Sequence, residues 1–391
     1  MSEDAGCNPE VSCRTVVECH CSDQCSLCNW VNLKISNESK VAAGTVAGAS
    51  YYTAHDFIQR LQILGTNSEL LEDVSDYNKI ARMLQIHQLS EDDKNVQNNL
   101  GGFKAPGTDT KDANIIAGHT VCFQLISGVL NCSKYFPLGM ARNRSLTVRI
   151  ELAPAKTAIA TLNDASTAEG EATDVPDYNI QEVSLGCDVI SMSDSYNMKF
   201  RSMLEQMGSI NIHYTTYKGY QNSITGAGAV IIPDSSRSLK SIFTCFTSNT
   251  LAAQTDSLAL IQAGVTGFIY TVNSHSYPAS NVQIDPGTVA GALVNDKNTA
   301  GAFALLHTAL GGISSSKTLF DNFDLNGFAI GVCTESFNRS SNVLESGENL
   351  SQSSNPIRLT LTGAAASTAY TFTLSDRLIS FDASGSLSSS G

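Results

Sequence analysis

The stretch Leu146-Thr-Val-Arg-Ile-Glu-Leu decides the fold, because a related pattern recurs half a chain later. Its apolar residues alternate with polar ones, as in a β-strand with one buried face. A similar strand, Ile357-Arg-Leu-Thr-Leu, lies in the second half. Each strand is followed by a loop and then by a second apolar segment, Val189-Ile-Ser-Met-Ser or Leu378-Ile-Ser-Phe-Asp. The matched pairs indicate a duplicated β-domain, although amphipathic strands also resemble one another by chance.

Further strand-like segments flank these pairs. The clearest of them are residues 30–35, 121–126, 210–217, 228–232, 239–246, 267–272 and 328–332. Helical spacing of three and four residues predicts a helix over 66–87, with Leu70, Val74 and Tyr77 in its apolar stripe. We predict two other short helices, at 197–207 and 299–310. Residues 384–391 are rich in serine and read as a low-complexity tail.

A chain of 391 residues is long for a single domain and suits two domains of ordinary size. The many short strands and the internal repeat predict an all-β fold of two fused eight-stranded jelly-roll sandwiches, with short helices in connecting loops. We place the first jelly roll at residues 30–200 and the second at 201–391. Residues 1–29 form a separate cysteine-rich segment.

The cysteines differ in distribution between the first 29 residues and the rest of the chain. Those of the N-terminal segment are Cys7, Cys13, Cys19, Cys21, Cys25 and Cys28. Four thiolates, from Cys19, Cys21, Cys25 and Cys28, could hold one zinc ion. Disulfides and a disordered or non-native leader are the other interpretations, and we expect the segment to be disordered. The scattered later cysteines are expected to be buried free thiols: Cys122, Cys132, Cys187, Cys245 and Cys333.

Charge and hydropathy exclude several functional classes. The formal net charge is −13, so the chain gains no counterion-release energy on covering a phosphate backbone. We therefore predict no direct binding of nucleic acid. No run of about 18 apolar residues is present, and we predict no transmembrane segment. The first residues, Met1-Ser-Glu-Asp, lack the apolar core of a secretory signal.

Two motifs resemble ligand-binding loops but lack essential residues. The stretch from Asn322 to Cys333 resembles a calcium loop, but Asn322 replaces the first aspartate and Cys333 the last, bidentate acid. Gly311-Gly-Ile-Ser-Ser-Ser-Lys-Thr resembles a phosphate-binding loop, but Ser316 replaces its second glycine. The seven histidines are dispersed. We predict no catalytic, cofactor-binding or metal-binding residue, no cofactor and no enzymatic activity.

Several short motifs, in their order along the chain, resemble a known family. Residues 115–131 form an apolar strand that ends in Ser-Gly-Val-Leu, and Lys134-Tyr-Phe-Pro-Leu follows. Next comes the strand that ends in Glu151-Leu-Ala. This order resembles the double jelly-roll major capsid proteins of Polinton-like viruses and virophages. Phe57-Ile-Gln-Arg-Leu and Phe328-Ala-Ile-Gly agree with it, and the resemblance covers roughly residues 45–390.

The resemblance implies a fold and a function. It implies a trimer of pseudo-hexagonal outline that assembles into an icosahedral shell, inside the host cell, and becomes part of the virion. Its partners would be copies of itself and a penton or minor capsid protein, and no residue would be catalytic. Residues 1–29 depart from the family pattern, because they stand where the first strand of the first jelly roll is expected.

The alternative function is that of a carbohydrate-binding or adhesive β-sandwich protein, such as a spike or fibre. Such a protein would expose aromatic residues on loops in order to stack on sugars. Here aromatic residues are 7% of the chain, and Trp30, the one tryptophan, lies in a predicted strand. Composition therefore favours the shell subunit.

Overall fold

The computed structural model contains two compact units. The described residues are 16–22, 25–36, 49–50, 53–65, 68–89, 93, 119–131, 136–137, 145–158, 160–161, 179–189, 192–249, 260–284, 297–311, 327–335, 347–351 and 356–390. The first unit consists of residues 1–77, 96–216 and 377–390. The second consists of residues 78–95 and 217–376, with Gly391.

Strands are the main elements of both units. They are β1 (Val16–Ser22), β2 (Cys25–Ser36), β3 (Ala49–Ser50), β4 (Ile58–Leu64), β5 (Leu70–Ser75), β6 (His119–Gln124), β7 (Ser145–Leu152), β8 (Ala160–Thr161), β9 (Asn179–Val189), β10 (Ser209–Ile224), β11 (Gly228–Ile232), β12 (Leu239–Thr247), β13 (Gly267–Val272), β14 (His275–Gln283), β15 (Ala329–Cys333), β16 (Ile357–Thr362), β17 (Ser367–Asp382) and β18 (Leu387–Ser390). The helices are α1 (Tyr77–Gln88), α2 (Ala155–Ala158), α3 (Asp194–Met207) and α4 (Lys297–Ala309), with a 3-10 turn at Ala54–Phe57.

The first unit contains two main sheets. One has the strand order β1-β7-β4-β5, and the other has the order β6-β2-β9. Ile150 of β7 lies opposite Val17 of β1 on one side and Leu61 of β4 on the other. Ile150 and Leu61 are buried, because the alternating pattern of their strands turns the apolar residues to the core. A short pair, β3 with β8, also belongs to this unit, as do β18, the start of β10 up to Thr216 and the end of β17 from Arg377.

The second unit is a sandwich whose two sheets meet through its core. One sheet has the order β11-β16-β13-β14, and the other has the order β10-β17-β12-β15. The hydroxyl of Tyr270 in β13 donates to Oγ1 of Thr244 in β12 at 2.8 Å, which joins the two sheets across the core. The Thr244 and Thr371 hydroxyls are 2.8 Å apart. Aromatic rings fill the space around this contact: Phe243, Phe246, Phe268, Phe328 and Phe372 are fully buried.

Strand topology repeats between the units. In both four-stranded orders, β1-β7-β4-β5 and β11-β16-β13-β14, the last strand in the sequence lies between the first two. The orders β9-β2-β6 and β17-β12-β15 also match, because in both of them the first strand in the sequence lies between the other two. No counterpart of β10 lies among the described residues of the first repeat. The two stretches that suggested a duplication, at β7 and β16, therefore occupy equivalent positions. Ile379 is buried at 1% exposure, while Ile190, its counterpart in the sequence repeat, lies outside the described residues.

The compact units do not follow a single division of the chain at residue 200. The described strands of the two repeats do separate there, between β9 and β10. Helix α1, from the first half, belongs to the second unit, where Nε2 of His87 is 2.7 Å from the carbonyl oxygen of Gly327. Residues 377–390 belong to the first unit. These exchanges depend on contacts between residues distant in sequence, and the boundary of the jelly rolls at residue 200 stays a prediction.

Three local predictions need correction. The N-terminal segment predicted to be disordered contains β1, which pairs with β7, and the start of β2, which pairs there with β9. The helix predicted at 66–87 is the strand β5 followed by helix α1, with the break at Asp76, whose φ is 52°. The predicted tail contains the strand β18. The partner of β1 is β7, far along the chain, which local sequence does not reveal, whereas β5 and β18 pair with the strands that precede them, β4 and β17.

Candidate functional site

Glu72, on strand β5, is a buried carboxylate of the first unit. Its Oε1 accepts hydrogen bonds from the Gly128 N–H and from the Thr216 hydroxyl, both at 2.8 Å. Its Oε2 accepts from the Val129 N–H at 3.2 Å and from the Ser127 hydroxyl. Burial raises the pKa of Glu72, and these hydrogen bonds partly oppose that rise. Since Glu72 has no exposed surface, the cluster holds the turn at 127–130 in place and offers nothing to a substrate.

A smaller ionic cluster of the second unit joins strands β12 and β17 to Glu335, which follows β15. Nζ of Lys240 on β12 lies 3.3 Å from Glu335 and 3.2 Å from Asp376 on β17. The Ser238 hydroxyl donates to the second oxygen of Asp376 at 2.9 Å. Both carboxylates thus have partners within the sheet, and the cluster has the character of a structural ion pair.

Only parts of the two loop motifs that resemble ligand-binding loops lie among the described residues. Among the described residues, no group of three or more His, Cys, Asp or Glu side chains is placed to hold a metal ion. Residues 312–326, which contain most of both loops, lie outside the described part, as do the side chains of the N-terminal cysteines. Of the later cysteines, Cys122 and Cys333 are half-buried free thiols and Cys245 is a buried thiol, while the side chains of Cys132 and Cys187 are not described.

None of the helices in the described ranges combines the length and the apolar composition that crossing a bilayer requires.

Helix α3 is defined by clear signals at both of its ends. The hydroxyl of Ser193, the N-cap residue, accepts a hydrogen bond from the Tyr196 N–H at 3.4 Å. Asp194 adds a negative charge to the first turn, where it interacts favourably with the positive end of the helix dipole. Gly208 ends the helix with a φ of 79° and donates its N–H to the Leu204 carbonyl at 2.8 Å.

Exposed large apolar side chains are concentrated at α3. Leu204 is the one buried residue among the fourteen of the helix. The exposed large apolar side chains on the helix or beside it are Met192, Tyr196, Met198, Met203 and Met207, at 41%, 45%, 67%, 42% and 65% exposure. A concentration of exposed apolar side chains is typical of an interaction site. The amino-acid sequence predicts the helix and shows the spacing of its apolar residues, but it does not reveal that they are exposed.

Comparison with known proteins identifies the fold of this chain. No family model and no curated protein matches this chain. Among solved structures, it is similar to VP54 of PBCV-1 fitted into a cryo-EM reconstruction of the virophage Sputnik, with a TM-score of 0.59, 11% identity, and coverage of 100% of this chain and 94% of that one. The cryo-EM structure of the Sputnik virophage matches with a TM-score of 0.58 and 11% identity. The match covers 98% of this chain and 87% of that one. The Faustovirus major capsid protein matches with a TM-score of 0.62 and 7% identity. The match covers 96% of this chain and 89% of that one.

These similarities extend over both units and over nearly the full length of each matched chain. They agree with the two sheets and the repeated strand order found in each unit. The chain therefore has the double jelly-roll fold of these capsid proteins.

Proposed function

We propose that this chain is a major capsid protein, a non-enzymatic structural subunit of a viral shell. The observation that carries the proposal is the extent of the structural match, 100% of this chain and 94% of the VP54 chain. A single β-sandwich is shared by many functional classes and would carry little weight. A match across two consecutive sandwiches concerns the whole subunit.

The repeated topology supports assembly into trimers. Cyclic symmetry closes head-to-tail contacts into rings. Because each chain contributes two units with the same strand order, a ring of three chains has six similar parts and a pseudo-hexagonal outline. Six-sided capsomers can tile an icosahedral shell.

The remaining parts of the proposal concern partners and location. The net charge of −13 opposes direct contact with a nucleic-acid backbone, so copies of the same chain are the main partners. A penton or minor capsid protein would occupy the vertices, which a pseudo-hexagonal capsomer does not fit. The mature protein would reside in the virion after assembly inside the host cell.

Imaging of the purified protein tests the proposal against the adhesive alternative. We expect light scattering behind a sizing column to give three chain masses, and negative-stain images to show compact particles of hexagonal outline. A spike or fibre would give elongated particles instead. A monomer at micromolar concentration, at every ionic strength tried, would contradict the capsid function.

A further inference from the structure

Helix α3 carries an apolar stripe along one side. Tyr196, Phe200, Met203 and Met207 follow one another at spacings of four, three and four residues, which places them on one face of the helix. The rings of Tyr196 and Phe200 stack with their centroids 6.1 Å apart. Spacings of three and four are those of a seam that packs against another surface. We call these four residues the α3 stripe.

The α3 stripe is exposed although the helix needs packing. Three of its four members are between 42% and 65% exposed, and Phe200 is half-buried. Isolated helices of up to about 15 residues are marginal in water, and most helices are stabilised by burying an apolar face. Burial of Leu204 alone supplies little of that stabilisation to the 14 residues of α3. The described residues leave the stripe exposed, so its apolar surface is available to a partner.

The distribution of charge favours a second copy of this chain as the surface that covers the stripe. The whole chain carries a formal charge of −13, so two copies repel one another over most of their surfaces. Helix α3 is locally neutral, with Asp194 and Glu205 balanced by Lys199 and Arg201. Glu205 follows Tyr196 by nine residues, about two and a half turns, and Asp194 precedes Tyr196 by two residues, about half a turn. Both carboxylates therefore lie on the side of the helix opposite the stripe. The stripe is therefore a surface on which two acidic copies of this chain can meet without placing carboxylates together.

We propose that the α3 stripe is a contact between neighbouring copies of this chain in the assembled capsomer. The proposal rests on the proposed function, because it assigns a surface to the self-association of a shell subunit. A stable interface buries about 800 Å² on each partner, more than a stripe of four side chains offers. The stripe is therefore one part of a larger contact. Its removal weakens assembly and leaves the fold of the chain intact.

Met207 and Met198 form a matched pair for testing the contact. They are 65% and 67% exposed, belong to the same helix, and lie nine residues apart, so they point to opposite sides. Lysine at either position reduces the net negative charge equally and cannot add repulsion between acidic copies. For Met207→Lys we expect the concentration at half association to rise at least about tenfold, as for a buried interface residue. Met198→Lys should associate as the wild type does.

Light scattering measures association, and circular dichroism with thermal melting confirms that both variants are folded. Equal association of Met207→Lys and the wild type would overturn the stripe contact and leave the capsid function standing. Equal weakening by Met207→Lys and Met198→Lys would also overturn it, since the effect would then not depend on the side of the helix. A wild-type chain that never associates would contradict both proposals.

Photo-cross-linking identifies what covers the stripe. A benzophenone amino acid incorporated in place of Met203 in the full chain reacts with whatever surface lies against that position. We expect a product of two chain masses on a denaturing gel, with cross-linked peptides from the same sequence. Incorporation in place of Met198 is the control and should give little of this product. A cross-link at position 203 that stays within one chain mass would show that another segment of the same chain covers the stripe, and would refute the proposal.

Discussion

Glu72 shows how one buried carboxylate organises its surroundings in the first unit. Both of its oxygens accept two hydrogen bonds, from two backbone N–H groups and two hydroxyls. In Glu72→Gln, the amide nitrogen would face donors in place of one oxygen. Leaving buried donors unsatisfied costs about 1–3 kcal/mol. We therefore expect the free energy of unfolding, measured in urea, to fall by roughly that amount.

The matched control is Glu205→Gln, because Glu205 lies on the exposed surface of α3. The same chemical change there should leave the free energy of unfolding nearly unchanged, as for most surface substitutions. Equal stability of the two variants would mean that the Glu72 hydrogen bonds are not required.

His55 gives the first unit a sensitivity to acid. Nδ1 of His55 is 2.9 Å from the Tyr77 hydroxyl, which accepts a hydrogen bond from the Ile126 N–H at 2.9 Å. The Tyr77 hydroxyl proton is thus available to Nδ1, which must be unprotonated to accept it. The His55 ring also packs edge-on against Phe123, with centroids 4.6 Å apart. Burial lowers the pKa of His55 from 6.5 to about 3.

The sign of the pH effect follows from that lowered pKa. Below pH 6.5 the unfolded chain binds a proton at His55, whereas the folded chain stays neutral there down to about pH 3. Stability is therefore lost as the pH falls through this window, by up to about 1.4 kcal/mol per pH unit. Between pH 7 and pH 5 we expect His55→Gln to lose about 2 kcal/mol less than the wild type in urea unfolding. An unchanged slope in His55→Gln would contradict the assignment.

The C-terminal strand β18 is an element that local composition conceals. Its residues pair with β17 in the register Phe381 with Leu387 through Leu378 with Ser390. Ser389 donates its N–H to the Glu69 carboxylate at 2.9 Å, which ties the strand to the start of β5 as well. Leu387 is 3% exposed, so this serine-rich end contributes to the core of the first unit.

Substitution of Leu387 measures that contribution. Leu387→Ala removes a buried side chain, and we expect it to lower the free energy of unfolding by roughly 2–4 kcal/mol. Ser388→Ala, at the exposed neighbouring position, is the control and should change stability by less than about 0.5 kcal/mol. A neutral Leu387→Ala would mean that β18 does not pack as described.

For the whole molecule, charge sets the conditions of assembly. A chain with a net charge of −13 repels its copies over a distance that shrinks as salt is added. The Debye length falls from about 30 Å at 0.01 M to about 8 Å at 0.15 M ionic strength. We expect association, followed by light scattering, to strengthen over this range of sodium chloride. Sucrose of equal osmolality does not screen charge and should have no such effect, and association that weakens with salt would contradict this account.

Local signals of different kinds predicted different parts of the structure. The alternation at 146–152 and 357–361 gave β7 and β16, because period-two burial is written directly into the order of residues. The helix predicted at 197–207 is α3, which begins three residues earlier, after its cap Ser193, and ends before Gly208. The stripe from Leu70 to Tyr77 was misleading, since spacings of three and four fit a helix but also arise where a strand meets a helix. Such a junction becomes visible only when β5 has β4 beside it.

Residue order alone therefore determined the all-β class, the duplication, the acidic character and the position of α3. Tertiary structure alone decided that β1 and β2 join the sheets, that α1 belongs to the second unit and that residues 377–390 belong to the first. It alone decided also that Glu72 is buried while the α3 stripe is exposed. The physical reason is range: period and capping depend on neighbours in the chain, whereas pairing partners, burial and exposure depend on residues that folding brings together from a distance.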